Sequence, residues 1–236
     1  MAADRIERRS FALPLRCNYL LREPQRRGDG TLLILLLHGH AMTPEQMLKL
    51  SAPLFGEGHV LASLQGPYQL WVREAGNARS DVAFHWSTRF EAEHSRRLHH
   101  DMILRVIAEA GMPAARTVLV GFSQTVSLNY RFVCTHTDAV RGVIGICGGI
   151  PGDWDEAAYA ATETAALHIA TREDEFYLPA VTAPYAERLR RYVGDVEYHL
   201  LEGGHRIPSA ARPIVQAWLE RVAGPPGTGS SPAGSP

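Results

Sequence analysis

Lysine is nearly absent from this sequence. Lys49 is the single one among 24 basic residues, and the rest are arginine. The skew reads as high-GC coding rather than phosphate recognition, because 25 acidic residues bring the formal net charge to -1. No excess of one sign is left, and no basic stripe that would hold a nucleic-acid backbone. Long apolar runs are missing as well. The longest, Leu32 to Leu37, is far too short to span a bilayer. The stretch from Met1 to Arg9 has no apolar core after its charges and is not expected to act as a secretory signal. Cysteine is scarce: Cys17, Cys134 and Cys147 are scattered and lack metal-ligand spacing. They suggest buried free thiols in a reducing cytosol. These absences lead us to expect a cytoplasmic protein with no nucleic-acid partner and no stable membrane insertion.

What is present is an ordinary globular composition, 45% hydrophobic and 21% charged over 236 residues. That length suits one α/β domain, expected over residues 1–223. The Pro/Gly/Ser-rich stretch 224–236 has no large apolar side chain and reads as a flexible tail. Between these ends, short apolar runs alternate with amphipathic segments. Strands are expected over Thr31–Leu37, His59–Leu64, Thr117–Val120, Val140–Cys147, Ala166–Ala170 and Val196–Leu201. Helices are expected over Pro44–Leu50, Glu91–Ala110, Gln124–Thr135, Pro179–Val193 and Pro208–Val222. The alternation predicts a mostly parallel, doubly wound sheet with helices on both faces. Ligand sites of such sheets lie beyond the carboxyl ends of the strands.

The residues at those ends carry the chemistry. Thr117–Val120 runs into Gly121-Phe122-Ser123-Gln124-Thr125 and then into a helix, the pattern of a nucleophile elbow. By itself Gly121-Phe122-Ser123-Gln124 also fits a serine that merely caps a helix. A carboxylate follows the serine by about fifty residues, in Arg172-Glu173-Asp174-Glu175, directly after the fifth strand. His205 follows the sixth, in Gly203-Gly204-His205. Ser, then acid, then His is the chain order of α/β-hydrolases. A serine hydroxyl becomes a nucleophile when an imidazole accepts its proton, and a carboxylate holds that imidazole in the right tautomer. His38-Gly39-His40 follows the first strong strand, where half of an oxyanion hole belongs. The expected donors are the backbone N–H groups of His40 and Gln124. Asp174 is the candidate acid from its place at the strand end, with Glu173 and Glu175 beside it.

Gly121-Phe122-Ser123-Gln124 after Val118-Leu119-Val120, with Leu37-His38-Gly39 upstream and Gly203-Gly204-His205 downstream, resembles the phospholipase/carboxylesterase family. The resemblance covers roughly Leu32 to Val222. It implies an α/β-hydrolase fold without a large lid domain, no cofactor, and Ser123, Asp174 and His205 as triad. Family members usually have glycine where Thr125 stands, and often glycine-rich sequence at Ala41-Met42-Thr43, which puts the rate in question more than the fold.

Eleven histidines offer no metal pattern, so no metal is expected. Trp71 and Trp86, in the long connection after the second strand, and Tyr177 beside the acid are tentative pocket residues; core packing is the other reading for the tryptophans. Fewer than about twenty residues separate Cys147 from Thr164, too few for a lipase-like cover. The expected partner is therefore a small or single-acyl ester in an open site, hydrolysed through an acyl-enzyme, with a homodimer possible. The alternatives are a thioesterase or lysophospholipase with the same triad, or an impaired hydrolase-fold protein that only binds a ligand.

Overall fold

In a computed structural model, residues 6–73, 80–157 and 159–224 are described. The expected tail from residue 225 onward lies outside them. The chain runs β1 (Tyr19–Arg22), β2 (Leu33–Leu37), α1 (Pro44–Phe55), β3 (Val60–Leu64), β4 (Tyr68–Arg73), β5 (Ser80–His85), α2 (Ala92–Ala110), β6 (Thr117–Phe122), α3 (Gln124–Thr135), β7 (Gly142–Ile146), β8 (Ala165–Thr171), α4 (Pro179–Thr182), α5 (Tyr185–Leu189), β9 (Val196–Leu201) and α6 (Arg212–Ala223). Seven strands form one sheet in the order β1-β3-β2-β6-β7-β8-β9. All neighbours are parallel except β1, which runs antiparallel to β3.

The inner strands β2, β3, β6 and β7 are buried on both faces, which is why they read as apolar runs, whereas the edge strands β1 and β9 are only partly buried. Leu33, Leu35 and Leu37 of β2 face a core shared with Met102 and Val106 of α2 and Val126 and Tyr130 of α3. Ile34 and Leu36 face the opposite core, with Met47 and Leu54 of α1 and Val215 and Trp218 of α6. A strand with helices on both sides has no solvent face to mark with polar residues. The chain winds outward from β2 to β3, then returns to lay β6 on the other side of β2. The strand order reverses there, so a crevice opens between the ends of β2 and β6.

Three expectations need correction. Pro179–Val193 is not one helix: Pro184 starts a new one, because proline has no N–H for the preceding turn. The aromatic-rich connection after β3 is not a loop but a hairpin, with Tyr68↔His85 and Trp71↔Val82 paired. Its second strand reaches back to the β2–α1 loop, where Ala41 N–H donates to Phe84 O and Phe84 N–H to Met42 O, each at 3.0 Å. Cys17 is exposed, whereas Cys134 and Cys147 are buried free thiols as expected.

Candidate active site

The site forms where β6 breaks. Ser123 has φ 56° and ψ -112°, a conformation that non-glycine residues rarely hold. The turn needs clearance: a Cβ on Gly121 would lie 2.7 Å from the Asn129 side chain and 3.0 Å from the Thr125 backbone. Ser123 occupies the N-cap of α3, yet its hydroxyl does not cap the helix. The Oγ instead lies 2.9 Å from His205 Nε2.

His205 stands on the loop after β9, and Asp174 on the loop after β8. Asp174 Oδ2 is 2.9 Å from His205 Nδ1. Asp174 Oδ1 accepts from the Phe176 and Tyr177 N–H groups, each at 2.9 Å. Its carboxylate is buried, at 1% exposure, while Glu173 and Glu175 are exposed. Burial alone would raise its pKa, but the hydrogen bonds from His205 and the two amides outweigh it and hold the carboxyl below its ordinary value. Of the three neighbouring acids the sequence offers, Asp174 is the one aligned with the imidazole.

The His205 loop is held by groups that the motifs do not reveal. Thr171 Oγ1 donates to Gly204 O at 3.0 Å, and Cys147 Sγ donates to Arg206 O at 3.2 Å. Three rings surround the imidazole: Phe122 at 5.1 Å, Phe176 at 4.8 Å and Tyr177 at 5.8 Å between centroids. Tyr177 is half-buried and stacks on the His205 ring.

The loop that carries His40 and the first residue of α3, Gln124, both border the elbow. Gln124 begins α3, so its N–H has no intrahelical acceptor. His40 N–H donates to no backbone carbonyl among the described residues. A Cβ on Gly39 would lie 3.2 Å from the Ser123 Cβ, so this loop lies directly on the elbow. His38 is buried beneath it, with Nδ1 donating to Gly39 O at 2.7 Å and Nε2 accepting from Gly66 N–H at 2.9 Å. That bonding fixes the loop from below.

The two tryptophans part company. Trp71 is exposed on β4. Trp86 has no exposed surface and packs on His38 and His99 at 5.2 and 5.6 Å, so it belongs to the core rather than to an open pocket. Its backbone N–H donates to Gln124 Oε1 at 3.1 Å, which ties the connection after β5 to the elbow. Trp86→Ala should therefore cost about 3–5 kcal/mol in urea unfolding and leave the ranking of ester substrates unchanged; an altered ranking at normal stability would return Trp86 to the pocket. An apolar cavity of about 370 Å³ between β1 and α2, lined by Tyr19, Leu64, Leu98 and Met102 among others, includes neither Ser123 nor His205. Among the described residues, no three His, Cys, Asp or Glu side chains are grouped to hold a metal ion.

The sequence pattern of the phospholipase/carboxylesterase family matches residues 28–222, most of the chain. The chain belongs to that family. No curated protein matches it in sequence. Solved structures with the same fold include the Bacillus cereus carboxylesterase, at 14% identity and a TM-score of 0.69, covering 87% of this chain and 94% of that one. A carboxylesterase from Mesorhizobium loti is 20% identical at a TM-score of 0.69, covering 87% and 95%. Arabidopsis thaliana SOBER1 is 16% identical at a TM-score of 0.64, covering 81% and 99%. At such identities the likeness speaks to fold. Membership of the phospholipase/carboxylesterase family places the chain among hydrolases of the carboxylesterase type. No helix among the described residues is long and apolar enough to cross a membrane.

Proposed function

We propose that the chain is a serine-dependent carboxylic ester hydrolase acting through an acyl-enzyme on small or single-acyl-chain esters. The observation that carries this reading is the unbroken line Ser123 Oγ, His205 Nε2, His205 Nδ1, Asp174 Oδ2, with both contacts at 2.9 Å. In the first half-reaction Ser123 Oγ attacks the ester carbonyl carbon as its proton passes to His205 Nε2. The His40 and Gln124 N–H groups hold the tetrahedral oxyanion, and collapse expels the alcohol, which takes the proton from His205. Water then repeats the sequence on the acyl-serine and releases the acid. Asp174 stays ionised and stabilises the imidazolium. Every group needed comes from the protein, so the reading involves no cofactor. It treats residues 1–223 as one hydrolase unit working in a reducing compartment, with Tyr177 bordering the substrate.

A fluorophosphonate probe tests it. The wild-type protein should be labelled covalently, and Ser123→Ala and His205→Ala should lose labelling by more than about a thousandfold in rate. A folded wild-type protein that takes no label would make the chain a ligand-binding member of its fold. Matched oxygen and sulfur esters then separate an esterase from a thioesterase.

A further inference from the structure

Thr125 stands where the family usually has glycine, and its surroundings give it a task. The side chain is fully buried on the first turn of α3. Its Oγ1 accepts from Phe122 N–H at 3.1 Å and lies 2.9 Å from Leu37 O. Phe122 O is also within reach, at 3.1 Å, but the hydroxyl has one proton and Leu37 O is the nearer acceptor. The hydroxyl therefore serves as a rung between β6 and β2 at the point where the strand order reverses. The last paired residues of those strands are Leu37 and Gly121. One residue beyond the rung on β2 begins His38-Gly39-His40, and one residue beyond it on β6 stands Ser123. The two expected oxyanion donors, His40 and Gln124, thus hang from different strands whose ends the Thr125 hydroxyl joins.

We propose that Thr125 is a positioning residue that sets the separation of the two oxyanion donors by bridging Leu37 and Phe122 through its hydroxyl. This rests on the esterase reading above. Oxyanion donors act on charge that exists only in the transition state, so a change in their spacing lowers kcat and leaves KM alone. A donor displaced by a fraction of an ångström loses much of its effect, because hydrogen bonds weaken steeply with geometry. Loss of the hydroxyl also removes an acceptor from the Phe122 N–H and a donor from the Leu37 carbonyl in a buried crevice.

The test compares Thr125→Val, Thr125→Ala and Thr125→Ser with wild type and Ser123→Ala on a soluble short-chain ester. Valine keeps the shape and removes the hydroxyl; serine keeps the hydroxyl. Thr125→Val should lose about tenfold to a hundredfold in kcat with KM within about twofold, and Thr125→Ser should stay within about threefold of wild type. Affinity for a trifluoromethyl ketone, whose adduct carries an oxyanion, should fall in step with kcat. Should the valine variant fail to melt cooperatively, the serine and alanine pair carries the comparison. Full kcat in the hydroxyl-free variants, equal loss in the serine variant, or a change confined to KM each overturns the role of Thr125 while the esterase reading stands. A wild type with no Ser123-dependent hydrolysis overturns the esterase reading itself, and the positioning role with it.

Discussion

Asp174→Asn should fold normally and hydrolyse esters about ten-thousandfold more slowly than wild type, the order seen when a triad carboxylate becomes an amide. The loss follows from tautomer control. Asp174 Oδ2 accepts from His205 Nδ1, which leaves Nε2 unprotonated and facing Ser123. An amide that presents its NH2 to the imidazole inverts this: Nδ1 must accept, Nε2 carries the proton, and the serine has no base. Folding should survive, because Oδ1 would still accept from the Phe176 and Tyr177 amides when the asparagine oxygen faces them. That same preference aims the NH2 at His205 and makes the inversion more complete. Steady-state kinetics beside a melting curve would check it. Near-normal turnover would transfer the acid's role to Glu173 or Glu175, although both are exposed here.

Acid should unfold this protein well above the pH at which its carboxylates titrate. His38, His99 and His168 have no exposed surface. Burial, first among the causes, lowers their pKa to about 4, about 3 and about 4. In the unfolded chain each returns to about 6.5. Below that pH the unfolded state binds protons that the folded state refuses, so stability is complete above about pH 6.5 and drains away as the pH falls toward 4. Each histidine removes about 1.4 kcal/mol per pH unit in that window, and three remove about 4. Two units then remove about 8 kcal/mol, comparable to the whole 5–15 kcal/mol of a typical domain. The local bonding explains why the protons are refused. Both ring nitrogens of His38 are already committed, to Gly39 O and to the Gly66 N–H. Among the described residues, His99 Nδ1 and His168 Nε2 have no hydrogen-bond partner to receive a new proton. Asp174, with its lowered pKa, works in a lower window: its stabilisation is lost only as the pH falls through and below the ordinary carboxylate value. Thermal melting between pH 7 and pH 4.5 should show the midpoint dropping by tens of degrees. A midpoint flat from pH 7 to pH 5 would mean that these imidazoles accept protons in the folded state.

Legibility divides along physical lines. The four inner strands β2, β3, β6 and β7 could be read because each is covered on both faces and so spells a nearly unbroken apolar run. Val196–Leu201 and Gln124–Thr135 match expectation residue for residue. The hairpin Tyr68–Arg73 with Ser80–His85 could not be read as a run, since each strand holds only three consecutive apolar residues, Leu70 to Val72 and Val82 to Phe84, and Trp71 and Val82 among them are exposed. The break at Pro184 did have a sequence signal, because a proline at that depth ends a helix.

The site was legible for a different reason. Chemistry demands a serine on a tight turn, an imidazole and a carboxylate, and the fold presents them in a set chain order after successive strands. The sequence alone therefore determined the sheet class, the family and the candidate Ser123, His205 and His40–Gln124 pair. Tertiary structure decided what depends on neighbours distant in the chain. It selected Asp174 over its two acidic neighbours, since burial and two amide hydrogen bonds distinguish them and residue type does not. It moved Trp86 from pocket to core, because exposure is a property of what packs around a ring. It turned Thr125 from a blemish in a motif into a rung between strands, because the acceptor it reaches, Leu37 O, lies 88 residues away in sequence and 2.9 Å away in space.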